Sequence, residues 1–288
     1  MAGWWLTDYK LDEVWQTTRG ENAKVAVLDT GLSRHVDFDF SRIQGFNYID
    51  NSVDYTADGN GHGTHCTGII NANGTKNQGL APGASLYIAK VGDNAGKINL
   101  DALKYALTNI YNETNNASQI DILSMSFILV GSLAEQPKIK EIEALLTKIA
   151  TEKKCILVSA SGDRNEDWNN SPALLNSCIC TGSVGSTRLR SAFSTKTINM
   201  DIVAPGENIM SSANMQDSVA MSGTSMSAAY ISGICALGLS YMKSRMNADT
   251  SLIKKILFQT ADAANGTLNE YGHGIVAPQK FIDTLKTI

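Results

Sequence analysis

Three short segments of this 288-residue chain carry side chains that together perform nucleophilic chemistry. An apolar run ends on Asp29 and is followed by Thr-Gly, a glycine-rich stretch contains His62, and Ser225 opens a long apolar run after Gly-Thr. A serine hydroxyl attacks a carbonyl when a histidine takes its proton and an aspartate orients that histidine. Each segment alone has a simpler explanation, because turns after strands, histidines in turns and serines at helix starts are common. The combination, in the order Asp, His, Ser, points to catalysis.

His62 and His65 lie three residues apart and are a candidate pair of metal ligands. The zinc-protease pattern spaces its histidines four apart with a glutamate between them, and this segment has neither feature. The whole chain contains four histidines, which are few ligands from which to build a metal cluster. We therefore predict no metal here and interpret His62 as a general base at a helix start, with glycines that let a partner approach.

The elements that position these residues are visible as apolar runs. Short β-rich runs alternate with helical patterns, which favours a parallel sheet flanked by helices. The predicted strands are Lys24–Leu28, Ser85–Val91, Ile120–Met125, Cys155–Ala160, Cys178–Val184 and Met200–Val203. The predicted helices begin near His62, Ile98, Glu135, Thr224, Ser251 and Pro278. Since no linker interrupts the pattern, we expect one α/β domain over residues 1–288.

Composition and charge exclude several other classes of protein. Hydrophobic residues make up 43% of the chain and charged residues 18%, which excludes a mostly disordered chain. The net charge of −4 comes without a basic stripe, so we expect no nucleic-acid partner. No run approaches the roughly 20 apolar residues of a membrane-spanning helix, so we expect no membrane partner either.

The cysteines and the N-terminus bear on the cellular compartment. The chain has five cysteines, at positions 66, 155, 178, 180 and 235. They are too few for a disulfide framework, and their odd number leaves one without a partner. The residues after Met1 lack the basic flank and apolar core of a secretory signal. We expect a cytoplasmic protein. A mature or excised fragment of a secreted protein has the same features, so that alternative stays open.

The three segments together resemble the subtilisin-like serine proteases, or subtilases. The resemblance runs from about Trp4 to Ala277 and includes Gly-Leu-Ala-Pro-Gly at residues 79–83 and Val-Ala-Pro-Gly at residues 203–206. It implies a three-layer α/β fold with a mostly parallel central sheet and helices on both faces. It also implies a serine endopeptidase acting on proteins or peptides, with Asp29, His62 and Ser225 as the catalytic triad and the backbone N–H of Ser225 in the oxyanion hole. We expect no cofactor, since calcium is a known ligand of relatives but is not supported by this sequence, and we expect no propeptide within these residues.

Asp163 stands where members of this family usually carry an asparagine that completes the oxyanion hole. An ionised aspartate has no hydrogen to donate, and losing one such donor costs about 10²–10³ in rate. Three explanations stay open: a protonated Asp163 donates, Asn165 or another nearby group replaces it, or the protein is slow or inactive. We expect an attenuated or selective protease. The alternatives are a non-catalytic peptide-binding pseudoprotease and a peptide macrocyclase or transferase.

The resemblance also indicates where a substrate binds. The first specificity pocket is expected to be lined by Ser126, Phe127, Ile128, Ala160, Ser161 and Gly162, and by the turn at Asn170–Ala173. Ile128 and Leu129 replace the glycines that usually leave an open edge for the substrate strand. We expect either a narrower cleft or a strand of buried aliphatic residues. At the rim, Arg164 predicts a preference for an acidic or polar side chain at the cleavage point.

Two further features concern metal and thiol chemistry. Many relatives bind a stabilising calcium near the loop at residues 71–79, which is shortened here. Asp37 alone does not supply the six to eight oxygens that calcium prefers, so the sequence does not support a tight calcium site. Cys66 follows the second histidine and is expected to lie close to His62, as in the thiol-containing branch of the family. A buried thiol that packs as a small hydrophobe is the simpler interpretation.

Overall fold

The structure, a computed structural model, describes residues 3–74, 76–117, 119–167, 170–244 and 249–288. Its strands are β1 (Lys24–Asp29), β2 (Ile43–Asn47), β3 (Ser85–Lys90), β4 (Ile122–Met125), β5 (Ile156–Ala160), β6 (Cys178–Val184), β7 (Ile202–Pro205), β8 (Ile209–Ser212) and β9 (Ser218–Met221). The first seven form a parallel sheet in the order β2-β3-β1-β4-β5-β6-β7. The last two form a separate antiparallel pair.

The helices surround this sheet, and several begin with a recognisable signal. They are α1 (Trp4–Thr7), α2 (Leu11–Val14), α3 (His62–Asn71), α4 (Leu100–Asn112), α5 (Gln136–Glu152), α6 (Thr224–Lys243), α7 (Thr250–Gln259), α8 (Leu268–Tyr271) and α9 (Pro278–Leu285). The Asn99 side chain caps α4 by accepting two first-turn N–H groups, and Asp249 does the same for α7. Pro137 lies in the first turn of α5, where a missing N–H costs nothing.

Two hydrophobic clusters, one on each face of the sheet, hold the layers together. Strand side chains alternate between the faces, so Leu157 packs into the cluster that contains α4 and α5, whereas Val158 packs into the cluster that contains α3 and α6. Both are fully buried, as central strands of a parallel sheet require. The predicted three-layer α/β architecture with helices on both faces is confirmed.

The longest helix, α6, runs through the centre of one helical layer. Among the described residues it is the one helix long and apolar enough to cross a membrane by length and composition. However, 94% of its most apolar stretch is buried inside the protein, as in the core helix of a globular protein. Its glycines let it lie close to neighbouring segments: a Cβ atom at Gly233 would come within 2.7 Å of Leu80, in the loop between α3 and β3.

The structure corrects the sequence-based elements in a few places. Strand β2 was not predicted, because Gln44 and Gly45 interrupt its apolar pattern at an edge of the sheet. The β8–β9 pair was also missed, since β9 is largely exposed and carries no buried face. The strand predicted at Met200–Val203 lies two residues later, as β7.

The sheet brings the chemically interesting residues to one edge. All seven strands point the same way, so the residues that follow β1, β4 and β5 emerge side by side at their carboxyl ends. Asp29 is the last residue of β1, Ser126 follows β4, and Ser161 follows β5. Helices α3 and α6 begin at this same edge with His62 and Thr224. In open α/β sheets this edge is where ligands bind.

Candidate active site

Asp29 and His62 form the centre of the site. The Nδ1 atom of His62 lies 2.8 Å from one carboxylate oxygen of Asp29 and 3.1 Å from the other. The Asp29 side chain is buried, while that of His62 is 29% exposed. The backbone N–H of Thr30 donates to Asp29 Oδ1 at 2.7 Å, which orients the carboxylate. With Nδ1 donating to Asp29, the Nε2 atom of a neutral His62 is left free to accept a proton.

The pair changes the acidity of the histidine. Burial by itself lowers the pKa of His62, but the negative charge and hydrogen bond of Asp29, with a further contribution from Cys66, raise it well above its ordinary value. The neighbouring His65 behaves in the opposite way, because burial lowers its pKa to about 4. His65 Nε2 lies 2.9 Å from the carbonyl of Ile209. His62 is therefore suited to hold a proton, whereas His65 is a neutral structural residue.

Ser225 lies in the first turn of α6, where its hydroxyl is half-buried. Ser225 Oγ donates to the backbone carbonyl of Ser126 at 2.9 Å, and no hydrogen bond joins it to His62 in the described part of the chain. Its backbone N–H belongs to the first turn, which lacks intrahelical acceptors. This N–H is therefore available to a negatively charged oxygen, and the helix dipole favours such a charge.

Asp163 lies beside the start of the same helix. Its Oδ1 atom accepts the backbone N–H and the hydroxyl of Thr224, each at 2.8 Å. The Thr224 hydroxyl in turn accepts the N–H of Gly162 at 3.1 Å. Gly223, which precedes the helix, has no side chain to cap it, so Asp163 serves as the cap from another loop. Asp163 thus lies at the expected place but acts as an acceptor.

A cavity of about 490 Å³ opens over these residues. Its lining contains Asp29, His62, Ser225 and Asp163 together with Ser126, Phe127, Ile128, Ala160, Gly162 and Arg164. Ser161, which was also expected in the pocket, lies behind this wall and is 1% exposed. Asn170 and Ser171 line a different cavity, with Leu129 and Val130.

The two aliphatic residues at the cleft edge have separate roles. Ile128 lines the cavity over the triad. Leu129 is buried in the cluster beneath α5, and its N–H donates to the carbonyl of Ser171 at 2.8 Å. The two expectations for this segment therefore concern different residues: Ile128 lines the cleft, and Leu129 belongs to the core.

Asn165 is turned away from the oxyanion position. Its backbone N–H donates to the carbonyl of Phe193 at 2.9 Å, and its side-chain oxygen accepts the guanidinium of Arg190 at 3.0 Å. It does not line the cavity over the triad. The geometry gives no support to Asn165 as a replacement donor.

Cys66 lies against the histidine ring. Its Sγ atom is 3.9 Å from Nδ1 of His62 and 4.0 Å from Nε2. Cys66, His62 and Asp29 therefore place one soft and two harder ligand atoms within 4.8 Å of one another. Because the Asp29 carboxylate and His62 Nδ1 already bind each other, this cluster is arranged for proton transfer rather than for a metal.

Asp37 occupies the place where the family implies calcium, and its surroundings do not fit that ion. Its carboxylate accepts the N–H groups of Lys76 and Asn77, the Asn77 side-chain amide at 2.8 Å and the Ser212 hydroxyl at 2.9 Å. Hydrogen-bond donors therefore surround the carboxylate oxygens of Asp37. Calcium needs such oxygens as ligands, and it is surrounded by further oxygen ligands rather than by N–H groups. Asn77 directs its amide nitrogen, and not its oxygen, towards the carboxylate. The buried His35 Nδ1 lies 3.3 Å away.

Sequence reasoning missed several residues of the site. Asn60, Ala95, Gly96 and Ile98 also line the cavity. Ile98 was predicted to begin a helix, but α4 begins at Leu100 after the Asn99 cap. The Asp-Gly-Asn-Gly run that precedes His62 is a turn signal, and it indicates that this loop approaches the site.

Comparison with known proteins agrees with this geometry. The model of the subtilase family matches residues 20–274. The major intracellular serine protease of Bacillus subtilis is 36% identical over 249 residues, which cover 81% of this chain and 73% of that protein. Thermitase of Thermoactinomyces vulgaris is 31% identical over 94% of this chain and 92% of its own length. Subtilisin BL of Lederbergia lenta is 32% identical over 89% of both chains. The chain belongs to the subtilase family and is a subtilisin-like serine protease.

Proposed function

We propose that this protease is an attenuated, selective endopeptidase whose oxyanion hole has one strong donor instead of two. The observation that supports the proposal is the carboxylate of Asp163, which accepts both donors of Thr224 and offers no N–H to a substrate. Removing one oxyanion donor lowers the rate by about 10²–10³. The remaining donor is the Ser225 backbone N–H, which side-chain substitutions leave in place.

The catalytic steps follow from the arrangement of the triad. Ser225 rotates from the carbonyl of Ser126 towards His62, which takes the hydroxyl proton on Nε2 as Oγ attacks the peptide carbonyl. Asp29 stabilises the imidazolium that forms and keeps the ring in the correct tautomer. His62 then returns the proton to the leaving amine, and water hydrolyses the acyl-enzyme by the reverse sequence of proton transfers.

A protonated Asp163 provides a way to restore the second donor. Oδ1 is held as an acceptor by Thr224, while no described residue donates to Oδ2. Any proton that Asp163 takes up therefore belongs on Oδ2. A neutral acid at this position donates one hydrogen bond to the oxyanion, which the carboxylate cannot do.

Covalent labelling by a fluorophosphonate probe tests the proposal. We expect the wild type to label slowly, Ser225→Ala not at all, and Asp163→Asn about 10²-fold faster or more. Asp163→Ala removes the negative charge without supplying a donor, so a smaller gain in this variant separates the two effects. If Asp163→Asn labels and the wild type does not, the aspartate at position 163 makes the wild-type protein inactive. If neither form labels, the protein is a peptide-binding pseudoprotease.

The products separate hydrolysis from transfer. An endopeptidase releases fragments whose combined mass exceeds the substrate by one water. A macrocyclase or transferase joins the acyl group to an amine, which requires that water be kept from the intermediate. Mass spectrometry of a digested peptide distinguishes these outcomes, and we expect hydrolysis.

Arg164 supports a preference for an acidic residue at the cleavage point. It lines the same cavity as Ser225, beside the strand ends that form the pocket wall. A guanidinium at this place attracts a carboxylate and repels lysine or arginine. A panel of peptides that differ only at the cleavage residue tests this preference. Slowest cleavage of the acidic peptides would exclude it.

We also propose that the protein acts in a reducing compartment. All five cysteines are buried and free of disulfide bonds. Two similar proteins, from Bacillus subtilis and Paenibacillus polymyxa, are named intracellular serine proteases. Titration of thiols in protein purified from its natural source, without reductant, is expected to find five. Any disulfide would contradict this proposal.

A further inference from the structure

Asp58 is a buried carboxylate that lies between the segments that carry Asp29 and His62. It is 5% exposed and follows the described loop after β2, four residues before His62. It does not line the cavity over the triad, so it does not touch a substrate there. Its two oxygens instead accept hydrogen bonds from both elements that carry Asp29 and His62.

One set of bonds reaches the end of β1. The Thr30 hydroxyl donates to Asp58 Oδ1 at 2.9 Å, and Thr30 directly follows Asp29. The Thr30 backbone N–H donates to the Asp29 carboxylate at 2.7 Å. The orientation of the Asp29 carboxylate is thus linked through Thr30 to Asp58.

The other set of bonds holds the start of α3. Asp58 Oδ2 accepts the backbone N–H of Thr64 at 2.9 Å and its hydroxyl at 2.6 Å. Asp58 Oδ1 accepts the N–H of Gly61 at 2.8 Å. Gly61 precedes the helix with a positive φ of 93° and has no side chain to cap it, so Asp58 provides the cap. Its charge also lies at the positive end of the helix dipole.

A third contact closes the network. The Gly63 N–H donates to the Thr30 hydroxyl at 2.9 Å, which joins α3 directly to the residue after Asp29. Burial raises the pKa of Asp58, but hydrogen bonds from Thr64, Gly61 and Thr30 outweigh it and lower the pKa below its ordinary value. Asp58 is therefore a carboxylate in the folded protein, with every oxygen engaged.

We propose that Asp58 is a positioning residue for catalysis, which fixes β1 and the start of α3 at the separation that the Asp29–His62 hydrogen bond requires. The inference rests on the peptidase function proposed above. Because displacement of a catalytic group by about 1 Å costs about 10²-fold in rate, small movements at this junction matter. A purely structural role for Asp58 makes a different prediction, since it affects the amount of folded protein and not the rate of each folded molecule.

The substitution Asp58→Asn tests the proposal. Asparagine has the same size but turns an amide N–H₂ towards donors that need an acceptor. We expect kcat per labelled active site to fall between 10-fold and 100-fold, with little change in KM. We also expect the acidic limb of the pH profile to move to lower pH, because a looser Asp29 raises the pKa of His62 less. His62 is also faced by Cys66 and His65 from α3, and it shares the cavity with Asp163 and Arg164.

Asp37→Asn is the matched control. Asp37 is also buried and accepts several hydrogen bonds, but its partners include Lys76, Asn77 and Ser212 and not the segments that carry Asp29 and His62. We expect it to lower the melting temperature while the rate per active site and the acidic limb stay at wild-type values. If Asp58→Asn behaves in the same way as this control, Asp58 is structural and the proposal is wrong.

A second pair of variants covers the case in which Asp58→Asn does not fold. Thr30→Val removes the link between Asp58 and β1, and Thr30→Ser keeps it. We expect the acidic limb to move in Thr30→Val and to stay at its wild-type position in Thr30→Ser. A wild-type limb in Thr30→Val would overturn the proposal. The low-field proton NMR signal of His62 Nδ1–H reports the hydrogen bond between His62 and Asp29 without a measurement of activity.

Two outcomes separate this inference from the proposed function. Absence of fluorophosphonate labelling in the wild type rejects the peptidase function, whereas an unchanged NMR signal in Asp58→Asn rejects only this inference.

Discussion

Ser225 and Ser126 each donate a side-chain hydrogen bond to the backbone carbonyl of the other, at 2.9 Å in both directions. One bond holds the nucleophile away from His62 in the free enzyme. The other ties the end of β4, which forms the wall of the cleft, to the first turn of α6. Attack on a substrate breaks the first bond and keeps the second, so the second bond positions the cleft wall during the reaction.

We expect Ser126→Ala to lower the rate of acylation about fivefold, since it removes one hydrogen bond worth about 1 kcal/mol between the cleft wall and the nucleophile helix. Stopped-flow kinetics with a chromogenic ester measure this rate. Ser124→Ala is the control, because Ser124 lies on β4 just before Ser126 and its buried hydroxyl has no hydrogen-bond partner among the described residues. An equal loss in both variants would show that the Ser126 bond has no special role.

The pH dependence of acylation is set by His62. Asp29 raises the pKa of His62 well above 6.5, and His62 must be unprotonated to act as a base. Activity is therefore expected to rise with pH through this raised pKa, so the acidic limb lies on the alkaline side of the ordinary histidine value. Labelling by an uncharged fluorophosphonate across the neutral and alkaline range measures the limb.

Asp29→Asn provides the control for that limb. It removes the charge that raises the pKa of His62, so the remaining activity is expected to show a limb at lower pH. His65 does not account for the limb, since its pKa of about 4 lies below it. A limb that Asp29→Asn leaves unchanged would assign the titration to another group.

Local sequence signals were enough to place the elements that carry the triad. An apolar run ending in Asp29 and an apolar helix opening at Thr224 are each encoded within about twenty consecutive residues, and the structure has β1 and α6 at these places. The parallel sheet follows from the alternation of strands and helices. Because the strands are parallel, their carboxyl ends meet, which brings distant segments to one edge.

The bonds between those elements were not visible in the sequence. Ser126 and Ser225 are 99 positions apart, and Asp163 and Thr224 are 61 apart. The substitution at Asp163 indicated a missing donor, but the sequence carries no signal that Thr224 takes its Oδ1 atom. Such contacts depend on sub-ångström positions within the packed structure, and local periodicity does not specify these positions.

Cys66 is expected to make the protease sensitive to mercury. Its sulfur lies 3.9 Å from His62 Nδ1, so a mercury atom bound there blocks movement of the ring. We expect a small mercurial to abolish fluorophosphonate labelling and Cys66→Ala to label normally in its presence. Cys235 supplies the control, because burial raises its pKa to about 12 and we therefore expect it to react slowly. Protection by Cys235→Ala instead of Cys66→Ala would contradict the assignment.

Stability is expected not to depend on calcium. Donors from Lys76, Asn77 and the β8 residue Ser212 converge on the Asp37 carboxylate and link the loop at residues 76–79 to β8. We expect thermal unfolding to be the same with a chelator and with excess calcium chloride. Asp37→Asn is expected to cost about 2–4 kcal/mol of unfolding free energy, since it leaves buried donors unpaired. A melting temperature that falls with the chelator would reveal a calcium site.

Ile128 is expected to restrict the substrates that the cleft accepts. Its side chain lines the cavity where a glycine leaves the edge open for a substrate strand, whereas Leu129 is turned into the core. Ile128→Gly therefore widens the cleft, and we expect kcat/KM to rise more for peptides with bulky residues than for those with small ones. Leu129→Ala is the control, because it removes core packing beneath α5 and lowers stability without changing the ranking of peptides. A ranking that changes in Leu129→Ala and not in Ile128→Gly would place the restriction elsewhere, since of these two residues Ile128 lines the cavity over the triad.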